Sequence, residues 1–457
     1  MRAGVRRGIQ GQRLVTAGLA CASLVAASLA ISAPVSATAF APYGVSRATP
    51  PAPYVDVSLS EPPTAIAVAD TGVIAASLFN PGSVAIIGTD GAVRLVSVNC
   101  RPSDVAINPA GTTAWAVCQD STSLAVIDVT SGGVSVAPLD ILGGDDVVYL
   151  PRSDRLYVAS LEGRIIELLG VSSGNYEVGA VIGTGDFRPT TLAVTPDGVE
   201  AYVATDAGAL LWIDLVGRGY RVIANNPAAR NFAALALDPS GRSLYAAVID
   251  SLDPSAPRTS LELIDFLDGR PLQSVPLDFT LAGSTAIEIA AGYRQVYVSA
   301  GRAVAVGSQE TGLLAIARSA QGRLGALSPL MASPGYGVAL GLSPDRDRVA
   351  VATTQGEAQG LITDDEPYPT IDFEVRVRKD RLTLAGTSQG LSAGTAVTVW
   401  IKDMTKRKSR YVAQKAKATI GASGTYSWTG KVVSRRMSLY VTAGDAVSDT
   451  SEIRIGR

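Results

Sequence analysis

The stretch PSDVAINPAGTTAWAVCQDSTSLAVIDVTSG, residues 102–132, decides the fold of this chain. It starts with a proline, runs through a short apolar segment and turns at Asn108-Pro109-Ala110-Gly111. A second and a third apolar segment follow, separated by short polar loops. Proline presets φ in such a turn and glycine accepts a positive φ, so the stretch predicts consecutive short strands of an antiparallel sheet.

The same pattern recurs through residues 60–355. Clear copies start at Pro189, Phe232 and Tyr336, and weaker copies start at Pro63, Asp145 and Ser284. Aligned on their first strands, the equivalent positions are Ala67, Ala106, Val148, Ala193, Ala236, Glu288 and Gly341. Units of about four strands at this period are typical of propeller blades, because stacking around an axis buries both faces of each sheet. Residues 54–59 form a strand without a local partner, and we expect this strand to complete the last sheet and close the ring.

The segments PSDVAINPAG from Pro102 and PTTLAVTPDG from Pro189 carry a signature that resembles the YVTN-type repeat of seven-bladed β-propellers. The signature is similar to that of the YncE-like and lactonase-like groups and covers about 300 residues. This resemblance implies a seven-bladed propeller over residues 54–363 and an extracytoplasmic binding role. Lactonase-like members are thought to use polar residues that include histidine. The chain has no histidine, so we do not expect that activity here.

The N-terminal residues have the layout of a secretory signal peptide. Positive charges come first, at Arg2, Arg6, Arg7 and Arg13. An uncharged apolar run over residues 14–31 and a small-residue site at Ala37-Thr38-Ala39 follow. We therefore expect residues 1–39 to be removed on export and residues 40–53, rich in proline, alanine and serine, to form a flexible lead-in. No transmembrane span would then remain, and the mature protein would be secreted or associated with the cell envelope.

Three alternatives for this region stay open. The pair Arg6-Arg7 is similar to a twin-arginine signal, and Gly18-Leu19-Ala20-Cys21 is similar to a lipoprotein box. An uncleaved anchor is the third alternative, because the apolar run is marginally long enough to span a membrane. With cleavage after residue 39, Cys100 and Cys118 are the remaining cysteines, and outside the cytoplasm we expect them to form a disulfide across a hairpin end. Two buried free thiols are the alternative.

Charge divides the mature chain into two parts. Residues 40–369 contain 19 arginines, no lysine and 34 acidic residues, whereas residues 370–457 contain 16 basic and 7 acidic residues. Residues 364–369 read as a linker. The alternating strands of residues 370–457 predict a small, basic β-sandwich similar to immunoglobulin and fibronectin type III domains. The expected class is therefore all-β, a seven-bladed propeller followed by an Ig-like or fibronectin-III-like sandwich.

A dense run of basic residues lies within the predicted sandwich. Its members are Lys402, Lys406, Arg407, Lys408, Arg410, Lys415 and Lys417. Outside the cell such a run would bind an anionic cell-envelope polymer, a lipid headgroup or a surface protein. Nucleic acid is disfavoured because the run lacks the aromatic spacing of a base-stacking surface. A solvated hairpin is the alternative.

The absence of histidine excludes the Ser-His-Asp triad, the Cys-His pair and every histidine-containing metal site. Candidate ligand-binding residues lie in loops at one predicted mouth of the propeller, and they are Arg101, Asp104, Asp146, Asp186, Arg188 and Arg230. The three arginines would grip a carboxylate or phosphate. No catalytic residue, metal site or cofactor is assigned, with calcium at Gly144-Asp145-Asp146 as a minor alternative. We expect a monomeric, non-enzymatic binding or scaffolding protein. The alternative is a lactonase-like or other hydrolase that uses Asp, Glu and Arg at the mouth.

Overall fold

The computed structural model describes most of the chain between residues 53 and 454. The described ranges are 53–139, 141–172, 175–225, 230–250, 258–277, 287–306, 309–319, 321–331, 337–363, 365, 370–378, 381–405, 411–414, 418–443, 446–448 and 451–454. The predicted signal peptide lies outside these ranges, as do most of the lead-in and most of the linker. Within them no helix is long and apolar enough to cross a membrane.

The first and larger part of the described chain folds into antiparallel sheets of four strands each. In chain order the strands are β1 (Val55–Ser58), β2 (Ala65–Val68), β3 (Ile74–Leu78), β4 (Ser83–Ile87), β5 (Val93–Ser97), β6 (Pro102–Ile107), β7 (Thr113–Cys118), β8 (Ser123–Asp128), β9 (Val134–Pro138), β10 (Gly144–Leu150), β11 (Arg155–Ser160), β12 (Arg164–Ser172), β13 (Asn175–Gly183) and β14 (Pro189–Val194). They continue as β15 (Glu200–Thr205), β16 (Ala209–Asp214), β17 (Gly219–Asn225), β18 (Arg230–Leu237), β19 (Leu244–Asp250), β20 (Arg258–Ile264), β21 (Pro271–Leu277), β22 (Ile287–Ala291), β23 (Gln295–Val306), β24 (Gln309–Arg318), β25 (Leu324–Met331), β26 (Gly337–Leu342), β27 (Arg348–Thr353) and β28 (Glu357–Ile362).

Among the described residues these strands make seven sheets. Six sheets are meanders of four consecutive strands, from β2–β5 to β22–β25. The seventh has the order β1-β28-β27-β26, so its outermost strand comes from the opposite end of the sequence. In that pair Val55 lies opposite Gly360 and Ser58 lies opposite Glu357. This pairing is the closure that was expected of residues 54–59.

The first strands of the sheets, here called the inner strands, form a closed circle. They are β2, β6, β10, β14, β18, β22 and β26, and each contacts the next, with β26 returning to β2. Small residues are needed where these strands approach one another. A Cβ atom on Gly341 of β26 would lie 2.6 Å from the carbonyl oxygen of Ile66 on β2. A circle of radially stacked four-stranded sheets defines the β-propeller architecture.

The apolar core of the propeller lies between consecutive sheets. Trp115 of the second sheet packs against Tyr149 and Tyr176 of the third, with ring centroids 4.4 Å and 5.7 Å away. The sheet that contains β1 packs against the first sheet through a cluster that includes Val55 and Ile66. Each fully buried aliphatic or aromatic side chain contributes about 1.5–3 kcal/mol, so the stacked faces hold the circle together.

Local geometry follows the sequence motifs of the second sheet. Gly111, in the turn that joins β6 to β7, has a φ of 68°, a conformation that residues with a Cβ rarely adopt. Cys100 and Cys118 are joined by a disulfide with their Cα atoms 6.0 Å apart. Cys118 lies opposite Pro102 in the β6–β7 ladder, so the disulfide ties the segment before the inner strand to the end of the second strand.

The remaining described strands form two further sheets, called here the C-terminal two-sheet domain (residues 370–454). The strands are β29 (Thr370–Ile371), β30 (Glu374–Arg378), β31 (Arg381–Gln389), β32 (Ala396–Asp403), β33 (Val412–Ala413), β34 (Ala418–Thr419), β35 (Thr425–Lys431), β36 (Arg436–Ala443), β37 (Ala446–Val447) and β38 (Ser451–Arg454). One sheet contains β29, β30, β31 and β35, and the other contains β32–β34 and β36–β38. Both sheets contribute to one buried cluster that includes Trp428 and Met437.

Candidate functional site

A cavity of about 140 Å³ lies where the inner strands converge. Every one of the seven inner strands, or the residue directly before it, contributes to its wall. The lining residues are Thr64, Ala65, Ile66, Ser103, Asp104, Asp145, Asp146, Thr190, Thr191, Ala233, Glu288, Ala339 and Leu340. We call this space the axial cavity.

A repeated irregularity of the inner strands shapes the wall of the axial cavity. The ladder to the second strand shifts by one residue, between Pro102 and Asp104 in β6 and between Gly144 and Asp146 in β10. Strands β14, β18 and β26 shift at the corresponding place. Such a bulge leaves the extra residue unpaired and re-aims its neighbours. In β6 the hydroxyl of the extra residue, Ser103, donates to the carbonyl oxygen of Gly144 on the next sheet at 2.6 Å.

Three acidic side chains occupy the same register position on three inner strands. Asp104 lies opposite Val117, Asp146 opposite Ala159 and Glu288 opposite Ser299. Each acid stands two residues before the inner-strand residue that pairs with the aromatic residue of the second strand. The sequence alignment was wrong for the sixth unit. Ala290, which pairs with Tyr297, is the true equivalent of Ala236, which pairs with Tyr245.

Asp104 and Asp146 form a hydrogen-bonded carboxyl pair. The Asp104 Oδ2 atom accepts from the backbone N–H of Val147 at 2.7 Å, and the Asp146 Oδ2 atom accepts from the backbone N–H of Leu192 at 2.6 Å. Burial, then the charge of Asp146 and the hydrogen bond to it, raise the pKa of Asp104 well above its ordinary value. Burial also raises the pKa of Asp146, but the hydrogen bonds it accepts oppose that rise. The two carboxyls therefore interact directly, and the pKa of Asp104 is raised more than that of Asp146.

Glu288 faces the same cavity from the sixth inner strand. Its side chain is exposed to the open space of the cavity, while the residues of the cavity wall surround it. Burial, and second the negative charge of Asp146, raise the pKa of Glu288 to about 8. Burial likewise raises the pKa of Asp145, which accepts a 3.3 Å hydrogen bond from the Gln119 side chain. Near neutral pH Glu288 therefore retains its proton unless a cation lies nearby.

The axial cavity has acidic lining residues but no basic ones among the described residues. Its remaining polar groups are hydroxyls of serine and threonine and backbone atoms. An anion placed there would meet like charge, whereas a cation would stabilise the ionised carboxylates. The chemistry of the wall therefore favours a positively charged group of small size.

The predicted arginine clamp does not form at this cavity. Arg230 instead forms an ion pair with Glu262 of its own sheet and lies over the ring of Phe232, 5.8 Å from the centroid. Asn231, not Arg230, is the register equivalent of Arg101, since Phe232 and Pro102 both begin the bulge. The guanidinium of Arg101 lies 5.7 Å from the centroid of the Phe79 ring.

Asp186 and Arg188 are exposed residues that do not line the axial cavity. Of the six predicted ligand-binding residues, the structure thus brings Asp104 and Asp146 together at the axial cavity. The other four, Asp186, Arg188, Arg101 and Arg230, lie outside its lining. Over the described residues, no three Asp, Glu, Cys or His side chains have an arrangement suited to a metal ion. The minor calcium alternative at Gly144-Asp145-Asp146 therefore gains no support from this geometry.

The predicted basic run lies mostly outside the described residues. Lys402 at the end of β32 is described and half-buried, and the other six basic residues are not described. Sequence reasoning overlooked the neighbours of Lys402 on the same face, the aromatic residues Trp400, Tyr411 and Tyr440. The alternation of β32, which separates Trp400 from the core residues Val399 and Ile401, was the signal that could have revealed them.

Comparison with known proteins bears on the fold. No protein-family profile and no curated protein matches the chain. A solved structure titled Kuenenia stuttgartiensis Hydrazine Synthase matches with a TM-score of 0.54 and 17% identity, covering 68% of this chain and 98% of that chain. A chain of a structure titled Crystal Structure of Mitotic Checkpoint Complex matches with a TM-score of 0.53 and 14% identity, covering 74% and 98%. At such low sequence identity, these similarities concern the fold alone. Together with the circle of sheets, they define this chain as a β-propeller protein.

Proposed function

We propose that this chain is an exported, non-enzymatic binding protein whose propeller recognises a cationic group in the axial cavity. The observation that carries the proposal is the convergence of Asp104, Asp146 and Glu288, from three inner strands, on a cavity without a basic lining residue. The cavity's size, about 140 Å³, suits an ammonium or guanidinium group rather than a whole drug-sized ligand. The ligand is then either a small organic cation or a lysine or arginine side chain of a partner protein.

The rigid wall favours recognition. Each carboxylate of the Asp104–Asp146 pair is held by a backbone N–H of the following sheet, so its position is set before a ligand arrives. Preorganised acceptors in a partly desolvated site bind a cation more strongly than mobile carboxylates on an open surface do. The absence of histidine from the whole chain supports a binding role over catalysis.

Binding of a cation at this cavity is expected to release protons. The pKa of Glu288 is raised to about 8, so the free cavity holds a proton on this residue near neutral pH, and the pKa of Asp104 is raised as well. A cation stabilises the ionised carboxylates and lowers their pKa values, so protons leave as the cation enters. Affinity should therefore rise with pH up to about pH 8 and level off above it.

The test is calorimetric titration of the full chain with alkylammonium and guanidinium compounds, each beside a neutral compound of the same shape. Titration in two buffers of different ionisation enthalpy measures the released protons directly. Asp146→Asn is the informative variant, because Asp146 interacts with Asp104 and its negative charge also raises the pKa of Glu288. Asp186→Asn is the matched control, since Asp186 is an exposed acid outside the cavity.

The expected result is binding of the charged compounds alone, weakened about tenfold or more by Asp146→Asn and unchanged by Asp186→Asn, as loss of one charged contact in a desolvated site implies. Equal binding of charged and neutral compounds would contradict the proposal. So would an equal loss of affinity in both variants, which would indicate a general effect of net charge.

A hydrolase is the second candidate, and one observation favours it. Glu288, whose pKa is raised to about 8, and Asp146 lie in one cavity, and acid–base catalysis by two carboxyl groups requires such a pair of acids in different environments. A screen of lactones and glycosides with the parent chain and with Asp146→Asn separates the two candidates. Turnover that this variant abolishes would establish the hydrolase.

The finer architecture and the location belong to the same proposal. The seven described sheets are then the blades of a seven-bladed propeller of the YVTN type, and the C-terminal two-sheet domain is an Ig-like module. Export rests on the signal-like residues 1–39 of the sequence. The basic character of residues 370–457 supports a role of this module in association with an anionic cell envelope.

A further inference from the structure

One face of the C-terminal two-sheet domain carries a cluster of aromatic rings outside the core. We call Trp400, Tyr411 and Tyr440 the aromatic strip. Trp400 on β32 and Tyr440 on β36 lie directly opposite each other, with ring centroids 5.9 Å apart and planes inclined by 6°. The Tyr411 ring meets the edge of Tyr440 at 4.8 Å and 72°. Trp400 and Tyr440 are thus stacked, and the three rings form one cluster across neighbouring strands.

The aromatic strip is held rigidly and is only half-buried. The indole N–H of Trp400 donates to the Thr442 hydroxyl at 3.0 Å. The Tyr411 hydroxyl is hydrogen-bonded to the Ser438 hydroxyl at 2.7 Å. All three rings keep part of their surface accessible to solvent. Rigid, partly exposed aromatic side chains offer a large contact area at low cost in conformational entropy, as binding surfaces require.

Positive charge borders the aromatic strip. The Lys402 ammonium lies 5.6 Å from the centroid of the Tyr411 ring. Burial and the Tyr411 hydroxyl raise the pKa of Tyr440, while the positive charge of Arg242, on the propeller, lowers it, so Arg242 also lies near the strip. The basic run that starts at Lys402 continues in the sequence beyond the described part of the strand. A ligand on this face would thus meet flat apolar rings and cations together.

We propose that the aromatic strip binds an anionic glycan, with a sugar ring packed against the exposed part of the stacked Trp400 and Tyr440 rings and an acidic group of the glycan near Lys402. A pyranose ring has an apolar face of C–H groups that packs on aromatic rings, and a carboxylate or phosphate on the same chain pairs with the lysine. This inference rests on the proposed role of the domain in envelope association and names the chemistry of its partner. It is independent of the cation proposed for the axial cavity.

The experiment measures binding of the full chain to polygalacturonate, a carboxylated glycan, by titration and by tryptophan fluorescence. Neutral galactan, polyglutamate, oligothymidylate and vesicles of phosphatidylglycerol with phosphatidylcholine are the comparison probes. Trp400→Ala removes the central ring, and Trp400→Phe restores an aromatic face. Lys402→Gln removes the bordering charge, with Lys431→Gln as its control, because Lys431 is an exposed lysine on the other sheet.

The expected result is selective binding of polygalacturonate, weakened about tenfold or more by Trp400→Ala and largely retained by Trp400→Phe, as for a central aromatic contact. Lys402→Gln should weaken binding and reduce its dependence on salt, whereas Lys431→Gln should not. Melting curves identify an unfolded variant, and Lys402→Gln then still tests the site.

Three outcomes would overturn the inference. A failure of polygalacturonate to bind even at low salt would contradict the inference. Equal binding of polyglutamate, with no effect of Trp400→Ala, would show that the surface binds polyanions by charge alone. Tighter binding of oligothymidylate or of vesicles assigns the surface to nucleic acid or to lipid. Amine binding at the axial cavity serves as the independent readout, since Trp400→Ala should leave it intact and Asp146→Asn should leave glycan binding intact.

Discussion

The substitution Val55→Asp tests whether the circle of sheets depends on its closing strand. Val55 is 3% exposed and packs in the cluster that joins the closing sheet to the first sheet. Strand β1 pairs with β28 over four residues, and the backbone N–H of Tyr54 extends the pairing with a 2.8 Å bond to Gly360. A carboxylate at this position would be buried among apolar side chains.

The expected cost follows from two contributions. Loss of the buried valine removes about 1.5–3 kcal/mol of apolar burial. An unpaired buried charge adds several kcal/mol. If β1 detaches instead, the total cost cannot exceed the free energy with which β1 docks. A total of about 4 kcal/mol lowers the melting temperature of an unfolding unit of about 300 residues by about 6 °C, from the usual entropy of unfolding per residue.

Thermal unfolding followed by circular dichroism and calorimetry measures this loss. Asp56→Asn is the matched control on the same strand, because Asp56 is exposed, and its effect should stay within about 0.5 kcal/mol. Limited proteolysis should cut the Val55→Asp variant before residue 60 while the remaining sheets stay resistant. A melting temperature of Val55→Asp equal to that of Asp56→Asn would refute the closure by β1.

Further predictions concern the disulfide, a buried ion pair and the axial carboxyls. Cys118→Ser should lower the free energy of unfolding by about 3 kcal/mol, measured against the oxidised parent chain, because it opens a short disulfide-closed loop. Arg318→Met should lower the free energy of unfolding by about 3–5 kcal/mol, because Arg318 is buried beside Asp238 at 2.9 Å and its loss leaves a buried carboxylate without this partner. Arg270→Met, at an exposed pair, should lower it by less than about 1 kcal/mol in the same denaturant titration. Glu288 has a folded pKa raised to about 8, so the stability that its proton provides is full below the ordinary pKa and is lost as pH rises through about 8. Glu288→Gln should therefore melt higher than the parent chain near about pH 9 and equally near about pH 4, and a difference that does not change with pH would contradict this.

The repeat pattern predicted the strands of the propeller well where the turn motif was intact. The units that contain a proline and a glycine in the turn, such as those at Pro102 and Pro189, fold with the predicted first strand. The sixth unit lacks this motif and turns at Gly292 instead, which displaced the predicted register by two residues at Glu288. Turn chemistry sets register, so a unit without it is aligned less reliably from sequence.

The candidate site was only partly predictable. Asp104 and Asp146 could be selected because they stand at matching places in two consecutive repeats. Arg230 was misassigned, because its ion pair with Glu262 forms across the intervening strand β19, from β18 to β20 of the same sheet. A guanidinium can reach several carboxylates, and only the fold decides which of them lies close.

The sequence by itself determined the repeating four-stranded unit, the turns and the separate basic part of the chain, because alternation, proline, glycine and charge act over short distances along the chain. The sequence also predicted that residues 54–59 complete the last sheet, and β1 does pair with β28. The tertiary structure alone decided that Asp104, Asp146 and Glu288 face one cavity. It also decided which carboxyls have raised pKa values, since the pKa of an acid depends on burial and on neighbours from other sheets. Short-range chemistry builds each sheet, but the closure of the circle brings residues from distant repeats to a common axis.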